Sequence, residues 1–170
     1  MELIRPERAE DAAAVRRVHE TAFPTPAEAD LVERLRAGGK AVIALVAEDA
    51  DGIVGHILFS PVGLEPLAGT VGLGLAPVAV LPDHEKHGVG RRLIQNGLAA
   101  CRKWGAGFVV VIGDPPYYGR FGFEPAAQHG LRNEYGAGDG FMVFELTSGA
   151  LPSPGTLVKY APEFSVPPKH

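Results

Sequence analysis

Two short segments of this 170-residue chain combine residue types and spacing that do chemistry. The first is Glu85-Lys-His-Gly-Val-Gly-Arg-Arg92, at the junction between an apolar run and an amphipathic one. A helix that starts there leaves its first N–H groups unpaired and presents the positive end of its aligned peptide dipoles. Gly88 and Gly90 let backbone approach a ligand closely, and Arg91 and Arg92 can add charge-assisted bonds. The chemistry is recognition of a phosphate or pyrophosphate. Lys86 and His87 favour it electrostatically, Asp83 and Glu85 oppose it, and the fragment alone is equally compatible with a purely structural turn. The second segment is Tyr117-Tyr-Gly-Arg-Phe-Gly-Phe123, with two phenols able to donate a proton or hydrogen bond. Phe121 and Phe123 read as core anchors around Gly122, and Arg120 stays open between ligand contact, pairing with an acid and solvation.

Proton acceptors are plentiful and unsorted: His19, Glu20, His56, Asp83, His84, Glu85, Asp114 and His129. Among these His84 is close to the glycine turn and titrates near neutrality when unperturbed. Cys101 falls on the apolar side of a helical pattern and reads as a buried small hydrophobe, with no Cys-His-carboxylate arrangement around it. The six histidines are dispersed and form no H-E-x-x-H pair, so no metal is expected. Asn133, Glu134, Tyr135 and Asp139 lie in a Gly-rich connection that suits either a pocket wall or an ordinary polar loop.

The elements that must position these segments follow from hydrophobic periodicity. Leu3–Arg5 reads as a short strand stopped by Pro6, and residues 10–22 as a helix with Ala14, Val15, Val18 and Ala22 on one side. Thr25-Pro-Ala-Glu28 reads as a capping box opening a second helix, which Gly38-Gly39 ends. Residues 41–48 and 53–59 read as strands joined at the Asp51-Gly52 hairpin signal. Residues 71–80 read as a strand with a bulge or splay at Pro77, since proline removes a ladder donor. A helix from the glycine turn to about Trp104, a strong strand over 108–112, a short helical turn over 115–120 and a strand over 141–146 complete the pattern. After Gly149 the chain is punctuated by proline, with anchors at Leu157, Val158, Tyr160 and Phe164. This order predicts an α/β (mixed α+β) domain with a mixed sheet covered by helices. It does not suit a Rossmann unit, whose glycine fingerprint follows the first strand.

Bulk properties agree. A chain that is 46% hydrophobic and 21% charged suits one globular domain. A formal charge of −4 gives no general attraction for nucleic acid. Apolar runs are broken well before a membrane span, and the N-terminus lacks a basic-then-apolar leader. With a single cysteine, a reducing cytoplasm is the default. The 22 glycines and 15 prolines have no period and read as connections. The apolar residues of the tail leave a homodimer open.

Taken together, the two segments resemble the GNAT superfamily of N-acetyltransferases. Glu85-Lys-His-Gly-Val-Gly90 resembles its acyl-CoA-binding motif, [Gln/Arg]-x-x-Gly-x-[Gly/Ala], and Tyr118-Gly-Arg-Phe-Gly-Phe123 its Tyr-x-x-x-Gly-Phe segment. The longer Gly-Asp-Pro-Pro-Tyr-Tyr form resembles a subgroup of uncharacterised bacterial members. The resemblance covers roughly residues 2–148 and implies a GNAT-like fold: a central mixed twisted sheet flanked by helices over 1–148, with 149–170 as an extension packed on the same domain. It implies that the amides of His87, Gly88, Val89, Gly90, Arg91 and Arg92 cradle the pyrophosphate of acetyl-CoA. Val78, Ala79 and Val80 would pair with the pantetheine arm, with a splay at Pro77 to admit it. Glu85 stands where the family has Gln or Arg and is expected to point away from phosphate. Tyr118 would assist thiolate departure as an amine, on a small molecule or a protein, attacks directly in a ternary complex. The opening helices would border the acceptor site, which puts Glu20 and Glu28 beside His84 as base candidates, with solvent as the alternative. A CoA-binding sensory or regulatory module without catalysis is the competing expectation.

Overall fold

Val-, Ile- and Leu-rich runs alternate with Gly and Pro turns, and in a computed structural model that describes residues 2–165 they form strands and helices in this order. β1 (Leu3–Pro6) leads to α1 (Ala12–Ala22) and α2 (Ala27–Ala37), then β2 (Ile43–Asp49), β3 (Gly52–Pro61), β4 (Gly63–Glu65) and β5 (Gly72–Val80). α3 (Val89–Trp104), β6 (Phe108–Ile112), the single turn α4 (Pro115–Gly119), β7 (Glu124–Pro125), β8 (Arg132–Asn133), β9 (Phe141–Glu145) and β10 (Leu157–Lys159) follow. The chain divides into two compact units, and β5 and α3 each contribute to both.

The first unit comprises the described residues within 1–60, 76–97 and 162–170. β1 pairs antiparallel with β2, and β2 with β3, through the hairpin expected at Asp51-Gly52. Asp49 Oδ1 accepts from the Asp51 amide at 2.8 Å and tightens that turn. Apolar positions spaced by three on α1 face inward, so Val15 and Val18 pack with Val32 of α2, Val46, Ile53 and Ala79 of β5. Before α1, Asp11 accepts from the Arg8 amide at 2.7 Å and from both terminal nitrogens of Arg5. Those Arg5 hydrogen bonds hold its carboxyl at about 2. α2 begins differently from the expected capping box. Its N-cap is Pro26, Thr25 Oγ1 accepts from Ala27 at 3.3 Å, and Oε2 of Glu28 is buried without a partner. Gly38 ends α2 as expected.

The second unit comprises residues 61–75 and 98–161. β5 pairs parallel with β6 from Gly72↔Phe108 to Gly74↔Val110, so this ladder ends before Pro77, which has no N–H to offer. β6 pairs antiparallel with β9, and β9 with β7. Parallel and antiparallel ladders together make the mixed sheet of the expected α/β class. Phe108, Val109 and Val110 alternate between two covered faces, all fully buried. Four short strands carry no alternation long enough to read from sequence. Two of them, β4 and β8, flank β10, so the proline-punctuated tail becomes a sheet strand, antiparallel to β4 and parallel to β8.

Candidate active site

The glycine turn is built in the first unit. Residues Pro82–His87 form a 3-10 turn, Gly88 adopts a left-handed conformation at φ 76°, and α3 starts at Val89. The first backbone bond of α3 runs from the Arg92 amide to Gly88 O at 3.0 Å. The amides of Gly88, Val89, Gly90 and Arg91 precede it and are the orphan donors of this helix start. Val89 is fully buried and pins the turn to the core. A Cβ added at Gly55 would lie 3.1 Å from Val89, 3.0 Å from Leu93 and 3.3 Å from the carbonyl of Ala79. Glycine at 55 therefore lets the first turn of α3 and the strand Val78–Val80 close on β3. In that strand Ala79 is buried, while Val78 and Val80 are half-buried.

The charged residues of the turn separate. The Arg91 guanidinium folds back over it, 3.4 Å from where a Cβ on Gly88 would stand. Arg92 is committed elsewhere: its guanidinium binds the Glu2 carboxylate and the Glu2 carbonyl, and its amide serves the helix. Lys86, His87 and Glu85 are exposed. Burial of Val89 between exposed His87 and Arg91 leaves the orphan amides beside the Arg91 guanidinium, which suits pyrophosphate.

His84 and Glu20, both base candidates from sequence, already have partners. His84 Nε2 lies 3.1 Å from Asp49 Oδ2, and Glu20 pairs with Arg16 at 3.1 Å on the exposed side of α1. The Asp51 amide, then His84, hold the Asp49 carboxyl below its ordinary range. Glu2, Asp49 and His84 each place one donor atom within 4.8 Å of the others, the one group among the described residues with metal-like spacing. In it Asp49 is paired to His84, and Glu2 to Arg92.

The tyrosine segment lies in the second unit. Asp114 caps α4, whose amide at Tyr118 bonds back to Asp114 O at 3.0 Å. The Tyr118 ring lies against the backbone of Gly113, where a Cβ would come within 2.4 Å of it. Phe123 packs edge-on at 5.7 Å, and Tyr117 at 5.1 Å. Tyr118 is only 9% exposed; burial, with Tyr117 adding to it, pushes its phenol up to about 12. Tyr117 is half-buried with the Arg120 guanidinium 6.0 Å above its ring, so Arg120 is placed as a cation–π partner. Phe123 is a core anchor as expected, while Phe121 stays half-buried. Cys101 is fully buried and its thiol is pushed up to about 12, in keeping with a packing role. In the Gly-rich connection, Glu134 Oε1 accepts from the Tyr160 amide at 2.9 Å and Asn133 donates to Val158 O at 3.1 Å, which ties it to the tail.

A cluster that sequence reasoning did not assemble lies in the first unit. His19 and His56, two of the eight unsorted acceptors, contact each other with no solvent exposure, and Glu7 and Arg36 complete the group. Nothing in the spacing of these residues announces it, because they come from four separate places in the chain.

Residues 3–126 match the profile of the family described as "Acetyltransferase (GNAT) domain". Over 165 residues the chain is 38% identical to an uncharacterized N-acetyltransferase, YhbS, of Escherichia coli, spanning 96% of this chain and 98% of that one. The structure of a YhbS from Escherichia coli in complex with CoA superposes with a TM-score of 0.88 at 35% identity, over 97% of this chain and 92% of that chain. A GNAT acetyltransferase from Brucella melitensis in complex with acetyl-CoA superposes with a TM-score of 0.80 at 36% identity, over 96% and 98% of the two chains. With the glycine turn and the tyrosine segment within or at the edge of the matched span, and a mixed sheet covered by helices, this chain belongs to the GNAT acetyltransferase family.

Proposed function

We propose that the protein transfers an acetyl group from acetyl-CoA to a primary amine by direct attack in a ternary complex, with Tyr118 assisting departure of the thiolate. Acetyl-CoA supplies a thioester carbonyl and a thiolate leaving group. The orphan amides of residues 88–91, backed by Arg91, hold the pyrophosphate, and the backbone of Val78–Val80 orients the thioester arm. Support for this part comes from the unpaired helix start and from the CoA and acetyl-CoA bound by the two similar structures.

The observation that carries the catalytic reading is the packing of Tyr118, nearly buried with its ring fixed against the backbone of Gly113, which holds a protonated phenol in one place. A phenol at about 12 is a weaker acid than an ordinary thiol, so Tyr118 acts by donating a hydrogen bond as charge grows on sulfur. The attacking amine releases its proton to solvent; Glu20 is paired with Arg16, and His84 is hydrogen-bonded through Nε2 to Asp49. The acceptor is a small-molecule amine or a protein amino group.

Tyr118→Phe tests the assignment because it keeps the packed ring and removes only the hydroxyl. Turnover is expected to fall on the order of 100-fold, with acetyl-CoA affinity within about twofold of wild type. Unchanged turnover on an acceptor found by CoA-release screening removes Tyr118 from the mechanism. Acetyl-CoA binding without turnover on any amine of a broad panel points instead to a binding module.

A further inference from the structure

Inside the first unit, four polar side chains from different elements lie in one row, its two histidines fully buried and its Glu7 and Arg36 end partly exposed. Arg36 of α2 grips Glu7, which follows β1, with Nε to Oε2 at 3.1 Å and a terminal nitrogen to Oε1 at 2.6 Å. Glu7 Oε1 lies 2.8 Å from Nε2 of His56 on β3. Nδ1 of His56 lies 2.8 Å from Nε2 of His19 on α1. Both imidazoles are fully buried, and the ring of Phe23 stacks against His19 at 6.1 Å.

Proton positions follow from the acidic end. Burial works against ionisation of Glu7, but hydrogen bonds from His56 and Arg36 hold its carboxyl at about 2. An ionised carboxylate only accepts, so His56 carries its hydrogen on Nε2 and accepts at Nδ1. His19 must then carry its hydrogen on Nε2. That leaves Nδ1 of His19 as a buried atom without a partner, while Nε2 of His56 lies 2.8 Å from Glu7 Oε1 without the alignment of a full hydrogen bond. Both imidazoles are neutral in this arrangement. A proton on Nδ1 of His56 would meet the N–H of His19 unless His19 moved its hydrogen to Nδ1, and neither a hydrogen nor a charge on that atom finds a group to receive it. The other charged groups that act on the pair are Arg36, which opposes protonation, and Glu7 and Asp11, which favour it; Arg36 and Arg5 already neutralise those two acids. Burial lowers the affinity of both rings for a proton, taking His19 to about 3, far too weak a base for an amine. The arrangement is therefore positional and not a proton relay for the reaction.

We propose that Arg36, Glu7, His56 and His19 are positioning residues: an acid-sensitive latch that fastens α1 and α2 over the strand Val78–Val80. Val15 and Val18, within one turn of His19 on α1, share a core cluster with Ala79 of that strand. Release of α1 lets both imidazoles reach water and regain an ordinary proton affinity, near 6.5. Below that pH, opening takes up about two protons, so the opening equilibrium rises about 100-fold for each further unit of acidification. Coupling to acetyl-CoA rests on the assignment of Val78–Val80 given above.

The test is native-state hydrogen exchange of the full chain between pH 7 and pH 5, corrected for the intrinsic chemical rate. Amides of α1 are expected to show an opening constant that climbs about 100-fold per unit below about 6.5. His19→Gln, which keeps a donor for His56 and does not titrate, is expected to reduce the climb to about 10-fold per unit. The wild-type profile decides the matter even if this variant fails to fold. A corrected opening constant that does not change with pH overturns the latch, as does an equal climb at the amides of β6, which marks global unfolding. Saturating acetyl-CoA is expected to lower the α1 opening constant in proportion to its concentration over its dissociation constant. An α1 opening constant that acetyl-CoA leaves unchanged, alongside the expected pH profile, retains the latch and removes its coupling to the cofactor strand.

Discussion

Substituting Gly88 separates the two roles of the cofactor turn, conformation and anion contact. Gly88 sits at φ 76° and ψ 12°, a left-handed geometry that an alanine holds at a cost of about 1–2 kcal/mol. For a chain of this size that corresponds to a fall in Tm of roughly 2–8 °C. Its Cβ would stand 3.4 Å from the terminal nitrogen of Arg91, an ordinary contact, so the perturbation acts through the backbone: relief of the left-handed strain shifts the orphan amides of the turn. Losing one charge-assisted hydrogen bond to pyrophosphate removes about 1.5–3 kcal/mol, or about 10- to 150-fold in acetyl-CoA affinity. Gly39 supplies the control. Its φ is 71°, and an added Cβ meets nothing within 4 Å. Gly39→Ala is expected to lower Tm by a similar amount with acetyl-CoA affinity intact. Calorimetry with acetyl-CoA, and with a pantetheine thioester that lacks the pyrophosphate, completes the comparison: Gly88→Ala is expected to weaken only the former. Equal affinity for acetyl-CoA in the two variants refutes the assignment of this turn to the pyrophosphate.

Other outcomes follow from individual partners. Arg91→Ala is expected to weaken acetyl-CoA binding about 10-fold and to flatten its salt dependence, whereas Arg92→Ala should leave affinity within about twofold, because that guanidinium is bound to Glu2; calorimetry at two salt concentrations compares them. Tyr118 is pushed up to about 12, above the 10 of a free phenol, so loss of its proton is unfavourable in the fold and the stability it contributes is intact below pH 10 and falls as pH rises from 10 through 12. Turnover should accordingly show no Tyr118 limb below about pH 11, and an alkaline limb near pH 10 that disappears in Tyr118→Phe would contradict the burial argument. Cys101, whose thiol burial raises to about 12, should resist iodoacetamide in the native state, and Cys101→Ala should lower stability by roughly 1 kcal/mol with kcat unchanged, read from denaturant titration and steady-state kinetics.

Local rules made much of this fold legible. The Asp51-Gly52 hairpin, the apolar spacing of α1, the break at Gly38 and the strand–turn–helix around Gly88 depend on residues close together in sequence, so composition and period were enough. Short strands were not legible. β4, β7, β8 and β10 have two or three residues each and exist only because neighbouring strands offer them partners. At Thr25-Pro-Ala-Glu28 the capping pattern was right about a helix start and wrong about its bonds, since burial of Glu28 competed with the local geometry.

What the amino-acid order determined by itself was the family, the anion-friendly turn and the tyrosine that follows it, because orphan amides, glycine and phenol act where they stand in the chain. Tertiary structure alone decided which charges are available. Glu2 takes Arg92 away from the turn and Asp49 takes His84, while Arg91 remains over Gly88. It also decided the protonation of the buried groups, since desolvation acts only on a side chain that the rest of the fold has covered. His19 and His56 look like any two dispersed histidines until α1 and β3 bring them within 2.8 Å of each other and away from water.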